Sequence, residues 1–521
     1  MSVARAELPC NGTAGKARAT ALASVGATET VPTSLVTYQS HGRVAVIGPE
    51  NAALQAARTL AGHLPVTVLV PGSGRPDPAS TDGIGVVRGG VPEVQGRLGR
   101  FTVNLATPEE TVALAQAAGL ESEYFDLVLD LSEPPLIDYE VPPVGYYAPA
   151  GDAKALARAL EELPEMRGEF EKPKYFNFNP ELCAHGRSEI IGCTRCIDAC
   201  PTVAISSAGE VVSVDPYLCQ GAGSCVAACP SGAMTYAYPT VSDLLARVRN
   251  LFEAYRDAGG VEPGLALHDG WSGRTLFGKL AGGMPEDVLP LEVEEVGSVG
   301  MDTWLAALAY GARGVLVFVT GNTPQRMVRE LDAQVGFARG VLGGMGYPPG
   351  VLALVNCDRP DEVDAAWAAM PGAAPARPAR FVAPDDKRGI LRLAIEHLHR
   401  QAPSSRKAVE LPAGAPFGEI RVDKSACTLC MACVSVCPAA ALAPGGDLPQ
   451  LKFTEWNCVQ CGLCESACPE DAIRLSPRFL FDAEQRQQPR VLHEEPPFCC
   501  VSCGKPFTTS GLLANVQRKL E

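Results

Sequence analysis

Eight cysteines in the second half of the chain repeat one pattern: Cys427-x2-Cys430-x2-Cys433-x3-Cys437-Pro438, then Cys458-x2-Cys461-x2-Cys464-x3-Cys468-Pro469. Three thiolates on one tight loop can reach three irons of a single iron–sulfide cubane. The fourth, at the start of a short helix and followed by proline, points to a neighbouring cubane. The spacing therefore predicts cluster C on Cys427, Cys430, Cys433 and Cys468, and cluster D on Cys458, Cys461, Cys464 and Cys437. Zinc favours separated ligand pairs. Four closely spaced cysteines ending in Cys-Pro, twice over, do not arrange around one tetrahedral ion.

The first half carries a degraded copy. Its second motif is Cys219-x5-Cys225-x3-Cys229-Pro230, and its first is Cys193-x2-Cys196-x3-Cys200-Pro201, with Ile190 where a leading cysteine would stand. The lead-in Asp215-Pro-Tyr-Leu-Cys219 has a counterpart in Asn179-Pro-Glu-Leu-Cys183, so Cys183 is read as the displaced leading ligand, with seven residues inserted before Cys193. By the same swap, cluster A takes Cys183, Cys193, Cys196 and Cys229. Cluster B is left with Cys219, Cys225 and Cys200, because Ala222 occupies the middle position. Three thiolates can hold a [3Fe–4S] core, or a labile [4Fe–4S] core whose fourth iron takes water or another ligand. The alternative is that cluster B has been lost.

These motifs resemble bacterial dicluster ferredoxins, and the Ala222 position resembles seven-iron ferredoxins, where loss of that cysteine leaves a three-iron centre. The resemblance implies three [4Fe–4S] clusters and one [3Fe–4S] or labile [4Fe–4S] cluster, in two ferredoxin-like units of about 65 residues each. The intervals agree: Cys200 and Cys219 are 19 positions apart, Cys437 and Cys458 are 21, and each interval carries a strand-like stretch, Glu210–Val214 or Gln450–Phe453.

A further group closes the chain at Cys499, Cys500 and Cys503, in Phe498-Cys-Cys-Val-Ser-Cys-Gly-Lys-Pro506. Cys500-x2-Cys503-Gly504 is half of a zinc knuckle, whose glycine permits the turn that aims two thiolates at one metal. A zinc site there needs Cys499 and a distant residue, another chain, or a longer natural chain. Cys357 ends an apolar strand and reads as a small buried hydrophobe, and Cys10 lies in the N-terminal tail. His185 reads as a ligand near cluster B, a hydrogen-bond donor to sulfur, or a solvent-exposed side chain.

Two α/β regions must frame these loops. From Arg43-Val-Ala-Val-Ile-Gly48, strands are expected at Val66–Val70, Gly85–Val87, Phe101–Asn104 and Leu127–Leu131, with helices at Asn51–Ala61 and Glu110–Ala118. The order suggests a parallel, Rossmann-like sheet. Its turn reads Gly48-Pro-Glu50-Asn-Ala-Ala53, so a glutamate stands where a glycine would let backbone approach a pyrophosphate, and no acidic residue follows the second strand. NAD or FAD binding is therefore not expected. The second region has expected strands at Leu265–His268, Leu289–Val293, Gly314–Val319 and Val351–Val355, and helices at Thr303–Tyr310 and Pro324–Leu342. Its segment from Glu295 to Val317, followed by Gly321-Asn322, resembles the delta chain of methyl-viologen-reducing hydrogenase and the matching part of heterodisulfide reductase. That family carries cysteines around these segments and this stretch has none, so no cluster is implied here.

The expected organisation alternates two Rossmann-like α/β domains with two ferredoxin-like dicluster domains, a multidomain α/β plus α+β chain. It runs as a mobile tail over 1–40, a degenerate Rossmann-like domain over 41–165 and a ferredoxin domain over 173–240. A linker helix over 241–260 leads to an α/β domain over 261–401. A linker over 402–417 precedes a ferredoxin domain over 418–480 and a tail over 481–521.

Composition narrows the function. The 521 residues carry a net charge of −15, with no basic block, which argues against nucleic acid or an anionic membrane as partner. With 20 cysteines the chain is too sparse for a disulfide scaffold, and 18 of them fall in the three regions above. No targeting segment or membrane-length apolar run is read, so the expected place is the cytoplasm, where thiols stay reduced. Beyond each Cys-x3-Cys pair, the position radical S-adenosylmethionine chemistry would need holds Val203, Gly232, Ala440, Asp471 or Pro506. No catalytic residue is assigned. The expected role is electron relay to or from a partner oxidoreductase. Two alternatives stand beside it. One is a flavin-dependent oxidoreductase component. The other is an accessory or assembly factor for a molybdenum formate dehydrogenase, because two ferredoxin units with a Cys-x2-Cys-Gly-Lys-Pro-Phe tail resemble iron–sulfur proteins encoded beside such enzymes.

Overall fold

The computed structural model describes residues 8, 11–25, 32, 34–270, 275, 284–374, 376–446 and 448–520; Cys10 lies outside them. The fold is mixed α/β with four sheet-bearing regions. In the first, Val44–Ile47 is buried on both faces, as its unbroken apolar run requires. Val44, Val46, Val68, Leu127 and Leu129 meet the apolar side of the helix Glu50–Leu60. Their neighbours Ala45, Ile47, Leu69 and Val128 face the opposite core. Strands Val66–Val70 and Leu127–Asp130 flank Val44–Ile47 in parallel, and Tyr146–Tyr147 and the start of Ile84–Arg97 extend the parallel run outward.

Beyond this the expected parallel sheet needs correction. Ile84–Arg97 bends on into antiparallel pairing with Arg100–Ala106, which pairs with Thr111–Ala113, and Gly72–Thr81 adds a mostly exposed antiparallel strand. The expected helix over Glu110–Ala118 is a strand followed by the short helix Leu114–Ala117.

The second region is a parallel sheet in the order Val288–Val293, Gly264–Asp269, Gly314–Val319, Leu352–Asn356. Helix Met301–Ala309 is buried along its whole length, with Trp304 near its centre. Helices Val241–Asp257, Gln325–Gly344 and Lys387–Arg400 share its core. Val241–Asp257 buries Leu244, Leu245, Val248, Leu251, Phe252 and Tyr255, so it is core and not a bare linker.

The expected N-terminal tail is also corrected. Thr13–Val25 is a helix that sets Ala17 and Ala21 into this second core, and Arg18 donates to the carbonyls of Pro285 and Val288 at 2.7 and 3.2 Å. Leu35–Ser40 pairs with Gly168–Pro173.

Each cysteine-rich unit is built on two small antiparallel pairs. In the first these are Phe176–Phe178 with Met234–Tyr236, and Ile205–Ala208 with Val211–Val214. In the second they are Gly418–Val422 with Ile473–Leu480, and Leu442–Pro444 with Gln450–Phe453. The second unit gains strands from both neighbours. Ala408–Glu410, in the expected linker, pairs with the end of Ile473–Leu480, and Arg490–Glu494, in the expected tail, pairs with Gln450–Phe453.

Candidate iron–sulfur centres

Four turns of one kind carry the Cys-Pro cysteines. The third residue after each cysteine is left-handed: Val203 at φ 52°, Gly232 at 79°, Ala440 at 48° and Asp471 at 52°. A β-branched residue rarely adopts this region, so its recurrence marks an imposed turn. The turn brings a following amide back onto the thiol. Ala441 N donates to Cys437 Sγ at 3.3 Å, Ala472 N to Cys468 Sγ at 3.2 Å and Met234 N to Cys229 Sγ at 3.5 Å.

The chain gathers the thiols in the swapped sets. Cys427, Cys430, Cys433 and Cys468 line one small pocket, walled by Leu429, Met431, Leu451 and Ile473. Cys437, Cys458, Cys461 and Cys464 line a second, with Ile420, Phe453 and Leu475. A third is lined by Cys183, Cys193, Cys196 and Cys229, with Phe178, Val212 and Met234. Four thiols ringing an apolar cavity, with amides aimed at sulfur, fit a multi-iron centre.

The seven-residue insertion does not displace Cys183. It folds as a tight hairpin, Gly186–Arg187 against Ile190–Ile191, turning on Ser188 and Glu189, both at positive φ. Gly192 N donates to His185 O at 2.7 Å and Cys193 N to Ala184 O at 3.0 Å, so the hairpin closes with Cys183 beside Cys193. The solvent-exposed reading of His185 is corrected: it is 1% exposed and lines this third cavity. Its Nδ1 meets Cys193 O at 2.9 Å and its Nε2 meets Ser207 Oγ at 2.8 Å, which fixes the ring as a support of the hairpin.

Cys200, Cys219 and Cys225 stand within electrostatic reach of one another. Lys172 Nζ donates to the carbonyls of Cys219 and Tyr217 at 2.5 and 2.8 Å, and Arg326 to Cys200 O at 3.1 Å. Burial pulls Lys172 down to about 8. Sequence reasoning missed these two cations because they lie far from the cysteines along the chain.

Burial pushes Cys461 up to about 11 and Cys433 up to about 12, so the metal-free chain holds these thiols protonated. Iron must displace those protons as it binds.

The tail forms a hairpin, Pro497–Cys499 with Pro506–Thr509. Gly504 at φ 69° donates to Cys500 O at 2.8 Å, and amides of Cys503 and Ser502 hold the Cys500 thiol below its ordinary range. Cys499 is exposed, with its thiol 3.9 Å from Pro497 O, while the Cys503 side chain hydrogen-bonds the Cys500 thiol, so the hairpin holds two of the three tail cysteines together. Cys357 is buried, away from all of these.

At the first sheet, Glu50 opens its helix and pairs with Arg88 at 2.5 Å. Arg88 holds the Glu50 carboxyl below the usual carboxylate range. The helix N-terminus is thus already faced by an anion.

No curated protein matches this chain. The 4Fe-4S dicluster domain family matches it twice, over residues 176–230 and 419–469, so the chain carries two iron–sulfur dicluster domains of ferredoxin type.

Proposed function

We propose that the chain relays electrons through four iron–sulfur centres to or from a partner oxidoreductase. The observation that carries this is the lining of three cavities, each by the four thiols that the swapped ferredoxin pattern assigns to one cluster. When bound, such clusters supply one-electron storage at potentials set by their surroundings. The protein's part is to hold the thiolates, exclude water with apolar walls and direct amides at sulfur. Clusters A, C and D are read as [4Fe–4S], and cluster B, on Cys200, Cys219 and Cys225, as [3Fe–4S]. The two parallel-sheet regions are read as Rossmann-like scaffolds. The Glu50–Arg88 pair at the helix N-terminus supports a scaffold over a flavin site. A compartment that keeps thiols reduced, such as the cytoplasm, suits fifteen cysteine ligands. The candidate partner is a molybdenum-containing formate dehydrogenase, on the layout resemblance alone.

The test is iron analysis of anaerobically purified protein, followed by reductive titration. The expected content is about 15 irons per chain, taking up about four electrons reversibly, one per centre. About eight irons would show the first dicluster unit to be empty.

A further inference from the structure

The two dicluster units touch at a place used by neither ligand set alone. A Cβ on Gly192 would stand 2.6 Å from Leu463 Cγ and 3.0 Å from the carbonyl oxygen of Cys461. Gly192 precedes Cys193, so ordinary bond lengths hold the Cα atoms of Cys193 and Cys461 within about 11 Å. Beside it, Arg195 Nη2 donates to Gln460 O at 3.3 Å, and Gln460 Nε2 donates to Cys458 Sγ at 3.3 Å. Cys193 belongs to the cluster A set, and Cys458 and Cys461 to the cluster D set. Within the units the swapped ligation keeps the partners adjacent: Cys229 lines the cluster A pocket from the cluster B motif, Cys437 lines the cluster D pocket from the cluster C motif, and Cys468 does the reverse.

We infer that the four centres form one ordered conductor, B–A–D–C, in which electrons cross between the units where Gly192 and Cys193 lie against Cys461 and Leu463. The inference rests on the iron–sulfur reading above. Each crossing moves one electron: the centre on one side is oxidised by one, the centre on the other is reduced by one, and no bond or proton need change hands. The donor and acceptor are one-electron redox partners at the two ends. Of the fifteen ligand cysteines Cys430 is the exposed one, so the C end is the more open of the two to an external carrier. Gly192 is glycine because the close approach leaves no room for a side chain.

The test removes the outer centres and watches the inner two. In full-length protein, Cys219→Ala with Cys225→Ala eliminates B, and Cys427→Ala with Cys430→Ala eliminates C. The expected result is about eight irons and, after full reduction, an electron paramagnetic resonance spectrum split by coupling between two centres. Adding Gly192→Val, which keeps every remaining thiolate, should keep the iron and collapse the splitting. Two uncoupled signals at that iron content would overturn the order while leaving the relay reading intact. Should the multiple variant not hold iron, Gly192→Val alone in the otherwise native chain decides. Full iron with faster relaxing, coupled signals identical to the parent would overturn the A–D crossing. An iron-poor parent would instead overturn the relay reading itself.

Discussion

At the scale of single residues, Ala222 is the informative departure. Gly221 and Gly223 stand at φ 82° and 76°, and the matching residues around Cys461, Gln460 and Gly462, stand at 53° and 88°. Leu429 and Met431 around Cys430 repeat the pair at 55° and 63°. The loop that aims a thiol is therefore kept where the thiol is missing. Alanine cannot donate to iron, so the corner facing residue 222 lacks a protein ligand and is the one from which iron is most readily lost. Oxidised protein should show the resonance signal of a [3Fe–4S] centre. Ala222→Cys should abolish it and add about one iron per chain. Unchanged spectra and iron content would mean that residue 222 does not face a cluster. The lead-in Asn179-Pro-Glu-Leu made Cys183 readable beside Cys193 despite the insertion, because the repeat preserved it. His185 was not readable, since its burial depends on a hairpin whose turn residues, Ser188 and Glu189, carry no usual turn glycine or asparagine.

At the scale of elements, helix Lys387–Arg400 ties both dicluster units to the second α/β core. Asp386 caps it by accepting from Gly389 N. Lys387, 8% exposed, donates to Val226 O and Ala227 O, both at 2.8 Å, on the last turn of the helix between Cys225 and Cys229. A cation on helix carbonyls is favourable there. The next residue, Arg388, donates to Pro416 O and Trp456 O and lies 4.7 Å over the Trp456 ring, in the other unit. Burial lowers its guanidinium to about 10. Lys387→Met keeps the stem and removes two charge-assisted bonds, leaving two carbonyls with lost partners, a cost of about 2 kcal/mol. The denaturant midpoint for loss of cluster absorbance should fall while iron content stays at the parent value. A midpoint equal to the parent's would show that the contact is not stabilising. Strands with continuous apolar burial, such as Gly314–Val319, were legible to the residue. Gly72–Thr81 was not, because it is held by backbone pairing with Ile84–Arg97 and buries almost nothing. Thr13–Val25 escaped for a related reason: its buried side is alanine and glycine plus Arg18, which a hydrophobicity pattern does not register.

At the scale of the whole molecule, the cores divide by what holds them. The two large α/β cores contain none of the fifteen cluster cysteines. The cores of the dicluster units are small and depend on them: Cys200 and Cys229 are buried in the first, and Cys433, Cys458 and Cys464 in the second, each packed against further ligand thiols. Without iron the thiols that line the three pockets lose the one group that would bond them to each other. Binding free energy at such sites is folding free energy. Anaerobic chelation should therefore melt the dicluster units and spare the rest. Far-UV circular dichroism should keep most of its helical signal, since Val241–Asp257, Gln325–Gly344 and Lys387–Arg400 lie outside them. Limited proteolysis should cut within 176–236 and 418–475 and leave fragments spanning 35–165 and 241–400. Protection should resume at Phe479 and Phe481, which pack into the second α/β core alongside Phe417. Collapse of all regions together on chelation would show instead that the clusters hold the entire molecule, and that the α/β cores are not independent of the metal.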